Sequence, residues 1–486
     1  MKFAKIKQML LIPFAALLML VALAMPGQAQ AASKKTYIIG TDQTFKPFEI
    51  QDKDGTYNGK NPGIDIEILR EIAKHENFKY ELKIMSFNAD VQALQSGQID
   101  GMIAGMSVTE ERKKTIDFSN SYYTDGVCLA VAKDSKITSM KDLKGKTVNV
   151  KTGTTSAIYA KSIQKKYGFK LKYYTNSNTS WADVKAGNAD ACFDDGPSLR
   201  YGIANGTGLR IVGKQVSNAP LAFAVKKGEN QELLKMFNDG LAWLKKTGRL
   251  KKIVNKYTSK KAVKSQVVAD TSILGLIKDN AGALLQGLWM TIELSIVGIL
   301  AALVFGLILG IMGIAEHKFW HGLANVIIYI FRGIPMMVLA FFIYIGMPTL
   351  LGHKLPLFTA GILTLMLDEG AYIGAIVRGG FESVDVGQWE AARSLGLPYY
   401  KALWKVVAPQ GFKLMIPSLV NQFIITLKDT SILSAIGVME LTQTGTNLIA
   451  QNFQGFKMWL IIAVMYLIII TLLTWLSNYI QKKMQH

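Results

Sequence analysis

Histidine and cysteine are scarce in this 486-residue chain, with five of the first and two of the second. Structural zinc sites draw four such ligands from short spacings, so this composition gives a zinc site no support. Cys128 and Cys192 each sit inside an apolar, strand-like run. Two separate buried thiols are therefore expected rather than a disulfide framework. A complete phosphate loop is also missing. Gly145-Lys146-Thr147 has the right ending, but position 140 is Met where the loop needs its first glycine. The chain is expected to hold no nucleotide or other cofactor of its own. No nucleic-acid motif accompanies the net charge of +20, so no nucleic-acid partner is expected.

What is present is unevenly spread. Residues 34–270 are rich in Lys, Asp and Gly, whereas long apolar stretches dominate from Ala281 onward. The densest basic run extends from Lys245 and Lys246 to Lys264, just before the apolar half. Such a run is either attracted to anionic headgroups of a bilayer or is a solvated helix face. At the other end, Lys2, Lys5 and Lys7 precede an apolar core at 9–24 and the small-residue site Ala29-Gln30-Ala31. That pattern predicts a signal peptide over 1–31, with an uncleaved anchor as the alternative, and in either case export of the chain from residue 33 onward.

Between 34 and 258, short β-rich runs alternate with helical periodicity. Ile64, Ile68 and Ile72 share one helix face, with Asp65, Glu67, Arg70, Glu71 and Lys74 mainly off it. Strands separated by helices imply parallel sheets covered on both faces. The domain has room for two such units, hence two lobes with a ligand cleft between them. We expect lobe 1 at about 36–124 and 221–258, lobe 2 at about 127–217, a linker at 259–280, and a membrane domain at 281–486.

Five segments of that second half are long enough to cross about 30 Å of hydrocarbon: 294–314, 333–352, 355–377, 414–439 and 458–479. The third is interrupted by Asp368 and Glu369, and the fourth by Lys428 and Asp429. With the exported domain outside, the inner segments hold Lys318, Arg378, Arg393, Lys401, Lys405 and Lys413, while the short outer loops hold little beyond Lys354 and Lys457. Positive charge on the inside agrees with the topology set by the signal. The fold class expected is a two-lobed α/β domain of the periplasmic-binding-protein kind, followed by an all-α transmembrane permease domain of five helices.

Two stretches resemble known families. Gly40-Thr41-Asp42, Phe45-Lys46-Pro47-Phe48-Glu49, Gly63-Ile64-Asp65-Ile66-Glu67, the run from Ala104 to Arg112 and Ile116-Asp117-Phe118-Ser119 resemble the amino-acid-binding proteins of bacterial ABC uptake systems, especially the glutamine-binding type. Phe331-Arg332-Gly333-Ile334-Pro335, Gly387-Gln388-Trp389-Glu390-Ala391-Ala392 with Gly396 and Ala408-Pro409-Gln410, and Lys428-Asp429-Thr430-Ser431 resemble the histidine/glutamine-type permease subunits.

The first resemblance implies a ligand site. An α-amino acid presents a carboxylate and an ammonium, and a guanidinium binds the first with two parallel hydrogen bonds. The implied roles are Arg112 for the carboxylate, with Ser107 and backbone groups at Gly105 and Thr155 adding hydrogen bonds, and Asp195 for the ammonium. Phe45 and Phe87 would sandwich the side chain, and Asp42 and Lys151 would read its end. Taken alone, Arg112 reads as a surface residue, Asp194-Asp195-Gly196-Pro197 as a turn, and the two phenylalanines as core. Asp194 stands where the glutamine-binding type has a histidine, which favours a more cationic ligand unless Lys151 neutralises it. Glutamine is the first expectation, with glutamate, asparagine and basic amino acids as alternatives.

The second resemblance implies that Glu390, Ala391, Ala392, Gly396 and Pro409 belong to a cytoplasmic loop contacting a separate ATPase dimer that carries ATP and magnesium. Ala408 replaces the leucine usual before that proline. Asp368 and Glu369 are unusual, since an ionised acid near the bilayer centre costs about 2.5–3.5 kcal/mol. They either line the transport path or lie at an outer kink, or pair with Arg332; the family's acid falls later, at Ala375. A homodimer working by alternating access in a bacterial inner membrane is expected. An amino-acid-gated channel and an amino-acid sensor are the rival readings.

Overall fold

The computed structural model describes residues 35–42, 45–52, 56–259, 272–348, 354–452 and 454–485. The expected signal peptide and most of the expected linker fall outside these residues.

Among the described residues ten strands form two five-stranded sheets. In the first, β1 (Thr36–Asp42), β2 (Lys79–Met85), β3 (Gly101–Met102) and β4 (Ile116–Phe118) come from the first pass of the chain. The second sheet is built from β5 (Tyr123–Ala132), β6 (Thr147–Lys151), β7 (Lys170–Tyr174), β8 (Ala191–Asp195) and β9 (Leu209–Leu221), after which β10 (Ala224–Lys226) returns to the first. Spatial orders are β2-β1-β3-β10-β4 and β7-β6-β8-β5-β9. The β1–β2, β1–β3, β6–β7 and β6–β8 pairs are parallel. Parallel strands are covered on both faces and so read as near-continuous apolar runs. β1 fits this, being buried or nearly so from Tyr37 onward.

Helix Ile64–Glu76 covers the first sheet with Ile64, Ile68 and Ile72 fully buried. Asn77, in the left-handed conformation at φ 56°, stops it. The two lobes are joined by β5 and β9, which pair antiparallel from Tyr123 against Leu221 to Ala132 against Leu209. Register shifts between Asp125 and Leu129 interrupt that ribbon. Bulges of this kind bend a strand pair, and they fall where the chain passes between lobes.

The membrane half begins earlier than expected, because helix Ile273–Gly313 already occupies 273–280. Its Gly298, Ala302, Gly306 and Gly310 recur every four residues and are buried against helix Leu357–Glu382. A Cβ at Gly306 would stand 2.5 Å from Ile373 Cγ2 and 2.8 Å from the Gly370 carbonyl oxygen. Small residues at this spacing let two helix backbones approach closely inside a bilayer.

The expectation of five spans needs correction. Among the described residues three helices are long and apolar enough to cross a membrane, Ile273–Gly313, Leu357–Glu382 and Gly455–Tyr479. A fourth is available only if the pair Lys318–Gly333 and Met336–Gly346, bent by 99°, is one span. Pro335 cannot donate an intrahelical hydrogen bond, so the chain turns there. The segment expected at 414–439 is not one rod: helix Ala408–Asp429 contains Pro417, gives way to a tighter turn at Thr430–Ile436, and ends on Gly437 at φ 95°.

Candidate ligand-binding site

A cleft of about 320 Å3, counting its open mouth, lies between the two lobes. It is lined by Asp42, Phe45, Phe87, Gly105, Ser107, Arg112, Lys151, Thr155, Asp194 and Asp195, together with Ala104 and Thr154. All ten ligand-site residues named from sequence thus share one cavity. Lobe 1 supplies Asp42 from the end of β1 and Phe87 from the start of helix Phe87–Gln95. Lobe 2 supplies Lys151 from the end of β6, and Asp194 and Asp195 from the end of β8. Ligands gather at the carboxyl ends of parallel strands because helix N-termini and loop amides converge there.

The lobes are closed on each other. Lys151 is buried and its ammonium pairs with the buried Asp42 carboxylate from the opposite lobe. Arg112 Nη1 donates to the Ser107 carbonyl at 2.6 Å, and Nη2 donates across the cleft to the Gly153 carbonyl at 2.7 Å. The hydroxyls of Ser107 and Thr155 lie 3.4 Å apart, again one from each lobe. Phe87 lies under both cations, 5.2 Å from the Arg112 guanidinium and 5.7 Å from the Lys151 ammonium. Its ring face attracts both.

Burial pulls Arg112 down to about 10, with Asp195 and Glu111 opposing the shift, so the guanidinium remains charged at neutral pH. Asp195 accepts from Ser156 Oγ at 3.2 Å. Asp194 is buried, accepts from Trp181 Nε1 and the Asp195 amide at 2.9 Å each, and is pushed up from the ordinary carboxylate range by that burial. Three carboxyl groups, of Asp42, Asp194 and Asp195, and two cations, Arg112 and Lys151, thus line the cavity, with Asp194 held by an indole and an amide. A guanidinium and a carboxylate on opposite lobes can grip a zwitterion as the lobes close.

Of the backbone groups of Gly105, the amide is taken. Its N–H donates to Asp65 Oδ2 at 2.7 Å and is therefore committed within lobe 1. What the site needs there is the absence of a side chain, since a Cβ would stand 2.1 Å from Phe45 Cε1 and φ is +54°. Sequence reasoning missed Ala104 and Thr154 as lining residues, although Ala104 opens the quoted run. It also missed the buried carboxyls of Glu49, Asp65 and Asp90 behind the cleft. Burial, with repulsion from neighbouring acids, pushes Glu49 well up, and burial brings Asp65 to about 6.

In the other half, helix Val386–Ser394 is capped by Asp385, whose Oδ1 accepts from the Gly387 amide at 2.6 Å. The exposed Glu390 and Ala391 precede the buried Ala392, and Gly396 turns the chain at φ 81°. Trp389 stacks on Tyr399 with centroids 5.0 Å apart, and Tyr399 donates to the Ile314 carbonyl at 2.6 Å. Those contacts tie the loop to the end of the first membrane helix, while Pro409 stays exposed. Asp368 and Glu369 are both buried inside the membrane half. Glu369 accepts from Gln422 Nε2 at 2.5 Å, and Asp429 lies close enough to interact with both acids. Arg332 instead stacks on Tyr372 at 4.9 Å.

A closing two-lobed cleft joined to a bundle of membrane helices defines a solute-capture and membrane-transport protein. Residues 37–260 match the bacterial extracellular solute-binding proteins of family 3, and residues 302–486 match the binding-protein-dependent transport system inner membrane component. The chain belongs to these families, as a binding domain fused to a permease domain of an amino-acid ABC importer. It is 36% identical over 203 residues to the glutamine transport system permease protein GlnP of Escherichia coli, covering 42% of this chain and 93% of that protein. It is 34% identical over 229 residues to the arginine-binding extracellular protein ArtP of Bacillus subtilis, covering 46% and 87%. A solved structure, the open form of the second substrate-binding domain of Lactococcus lactis GlnP, is 38% identical, covers 48% of this chain and 99% of that one, and gives a TM-score of 0.37. The protein is a multi-pass inner-membrane protein with an extracellular binding domain.

Proposed function

We propose that this chain captures and imports a polar amino acid, with glutamine the first substrate and glutamate, asparagine or a basic amino acid as alternatives. The observation that carries the reading is the placement of Arg112 and Asp195 on the same cleft from opposite lobes. The cleft also holds an ammonium and two carboxylates, at Lys151, Asp42 and Asp194, and we assign these to the side-chain end of the ligand. A carboxamide satisfies such a mixed set, its oxygen accepting from Lys151 and its NH2 donating to an aspartate. A cationic side chain satisfies the carboxylates but meets Lys151. The relative named for glutamine transport and the one named for arginine binding support these two ends of the range.

Transport runs by alternating access. The lobes close on the amino acid, dock on the fused permease, and ATP binding to a separate ATPase dimer turns the path inward. Helix Val386–Ser394, with Glu390, Ala391 and Ala392, Gly396 behind it and Pro409 beyond, is the seat of that ATPase. The three or four spans among the described residues are too few to enclose a route, so two copies of the chain form it. Asp368 and Glu369 line the path and meet the substrate ammonium. Fusion keeps the capture domain at high local concentration over its gate.

Titration of the full chain with L-glutamine, L-glutamate, L-asparagine, L-arginine and L-lysine tests the capture step. Heat released by one of these, abolished by Arg112→Ala with Asp195→Asn, is expected. Uptake into proteoliposomes with the partner ATPase tests transport. Ion conduction without ATP would mark a channel, and ligand binding with no uptake would mark a sensor.

A further inference from the structure

The mouth of the cleft and the outer face of the permease meet at one short segment of lobe 1. Met85 ends β2 and is fully buried. Across the sheet it pairs with Asp42, the carboxylate that receives Lys151. Two residues further on is Phe87, which lies under Arg112 and Lys151. Ser86 between them caps helix Phe87–Gln95, accepting from the Ala89 amide at 3.4 Å, and so holds the turn rigid.

The same Met85 faces the permease. Tyr344 is 1% exposed and points its hydroxyl at the Met85 sulfur, 3.9 Å away. Gly437 also packs on Met85, where a Cβ would lie 2.7 Å from Met85 Cγ and 3.1 Å from the Ile84 carbonyl oxygen. Polar contacts frame this apolar plug. Gln98, fully buried, donates to the Tyr344 carbonyl at 2.5 Å and accepts from the Leu355 amide at 3.3 Å. Asp100 pairs with Lys354 at 2.8 Å. Tyr344 belongs to a widened helical turn, Phe342–Gly346, and Gly437 ends the turn that follows helix Ala408–Asp429. Widened turns of this kind mark functional positions in helices.

We infer that Met85 is a positioning residue through which occupancy of the cleft is reported to the permease. Closure loads Asp42 and Phe87 from the ligand side, and Met85 transmits that load to Tyr344 and Gly437. The element has a contact on each side, which is what coupling between two sites requires. The inference rests on the capture reading given above for the cleft.

The test uses the full chain in nanodiscs with L-glutamine and L-arginine as probes, first by hydrogen exchange without the ATPase. In the wild type, the probe that binds is expected to slow exchange at 85–95 and at 342–346. Met85→Ala should keep the first effect and lose the second, and Met85→Leu should restore it. Lys354→Glu, which places two acids face to face at the rim and touches nothing in the cleft, should likewise lose the second effect, and it serves if Met85→Ala does not fold. Slowing at 342–346 in the alanine variant, or none there in the wild type, overturns the inference. With the partner ATPase added, ligand-stimulated hydrolysis should fall at least tenfold in Met85→Ala at unchanged ligand affinity. Loss of affinity together with stimulation would make Met85 mere support of the cleft and overturn the inference. Binding and propagation without any uptake by the wild type would instead remove the transport reading and leave this one standing.

Discussion

The Lys151 ammonium and the Asp42 carboxylate, 109 positions apart in the chain, form a buried ion pair that spans the two lobes. Each is nearly inaccessible, so removing one strands the other charge away from water. Breaking a buried pair by deleting one partner costs about 3–5 kcal/mol, whereas replacing both costs far less. Lys151→Met is therefore expected to shift the capture domain toward the open form and weaken binding strongly. The double variant with Asp42→Asn should recover much of the closure. Small-angle scattering of the ligand-bound chain checks this, and additive effects of the two changes would count against it.

Arg112 uses both guanidinium ends within the site, one on the Ser107 carbonyl and one on Gly153 across the cleft. Lysine keeps the charge but not the fork. Arg112→Lys should cost about 1.5–3 kcal/mol of ligand binding, the range for hydrogen bonds to charged groups, or roughly 10- to 150-fold in affinity. Calorimetric titration measures it. An unchanged affinity would show that the guanidinium acts as a point charge only.

Asp65 is fully buried, and burial raises it from 3.8 to about 6 in spite of hydrogen bonds from Gly105 and Tyr122. The folded state therefore binds the proton more tightly than the unfolded chain. Stability from this group is complete below about pH 4 and is lost as pH climbs through 6, on the order of 3 kcal/mol in total. Asp65→Asn, which keeps an acceptor for both donors, should flatten the pH 4–6 part of the stability curve and raise stability at pH 7. Thermal melts across that window decide it; a variant with the same slope as the wild type sinks the assignment to Asp65.

Gly306 sits against Ile373 and the Gly370 backbone with no room for a side chain. Gly306→Val should force the two membrane helices apart and cost about 1–3 kcal/mol, the usual penalty of overpacking. A lower Tm in detergent is expected, with ligand binding to the capture domain unaffected.

Leu395 is 83% exposed at the end of helix Val386–Ser394. Such exposure on an ordinary cytosolic loop makes a polar substitution harmless to folding, within about 0.5 kcal/mol. Leu395→Asp should leave Tm and ligand affinity intact but abolish ligand-stimulated hydrolysis by the partner ATPase. Normal stimulation would place the ATPase contact elsewhere.

The division of the chain into a capture half and a membrane half was legible from sequence alone. So were ten of the twelve residues that line the cleft, all but Ala104 and Thr154. Hydrophobic period and run length are local properties, and helix 64–76 follows directly from Ile64, Ile68 and Ile72. Arg112 and Asp195 were pointed to by the resemblance to amino-acid-binding proteins, since taken alone the first reads as a surface residue and the second as part of a turn. Tertiary structure alone decided the rest. That Lys151 reaches Asp42, that the Gly105 amide is already spoken for by Asp65, and that Met85 faces Tyr344 and Gly437 all depend on contacts between distant segments, which no local pattern records. The span count failed for the same reason. Apolar content at 333–352 and 414–439 shows how much chain a bilayer can accept, but not that the chain bends at Pro335 or that Gly437 turns it against lobe 1.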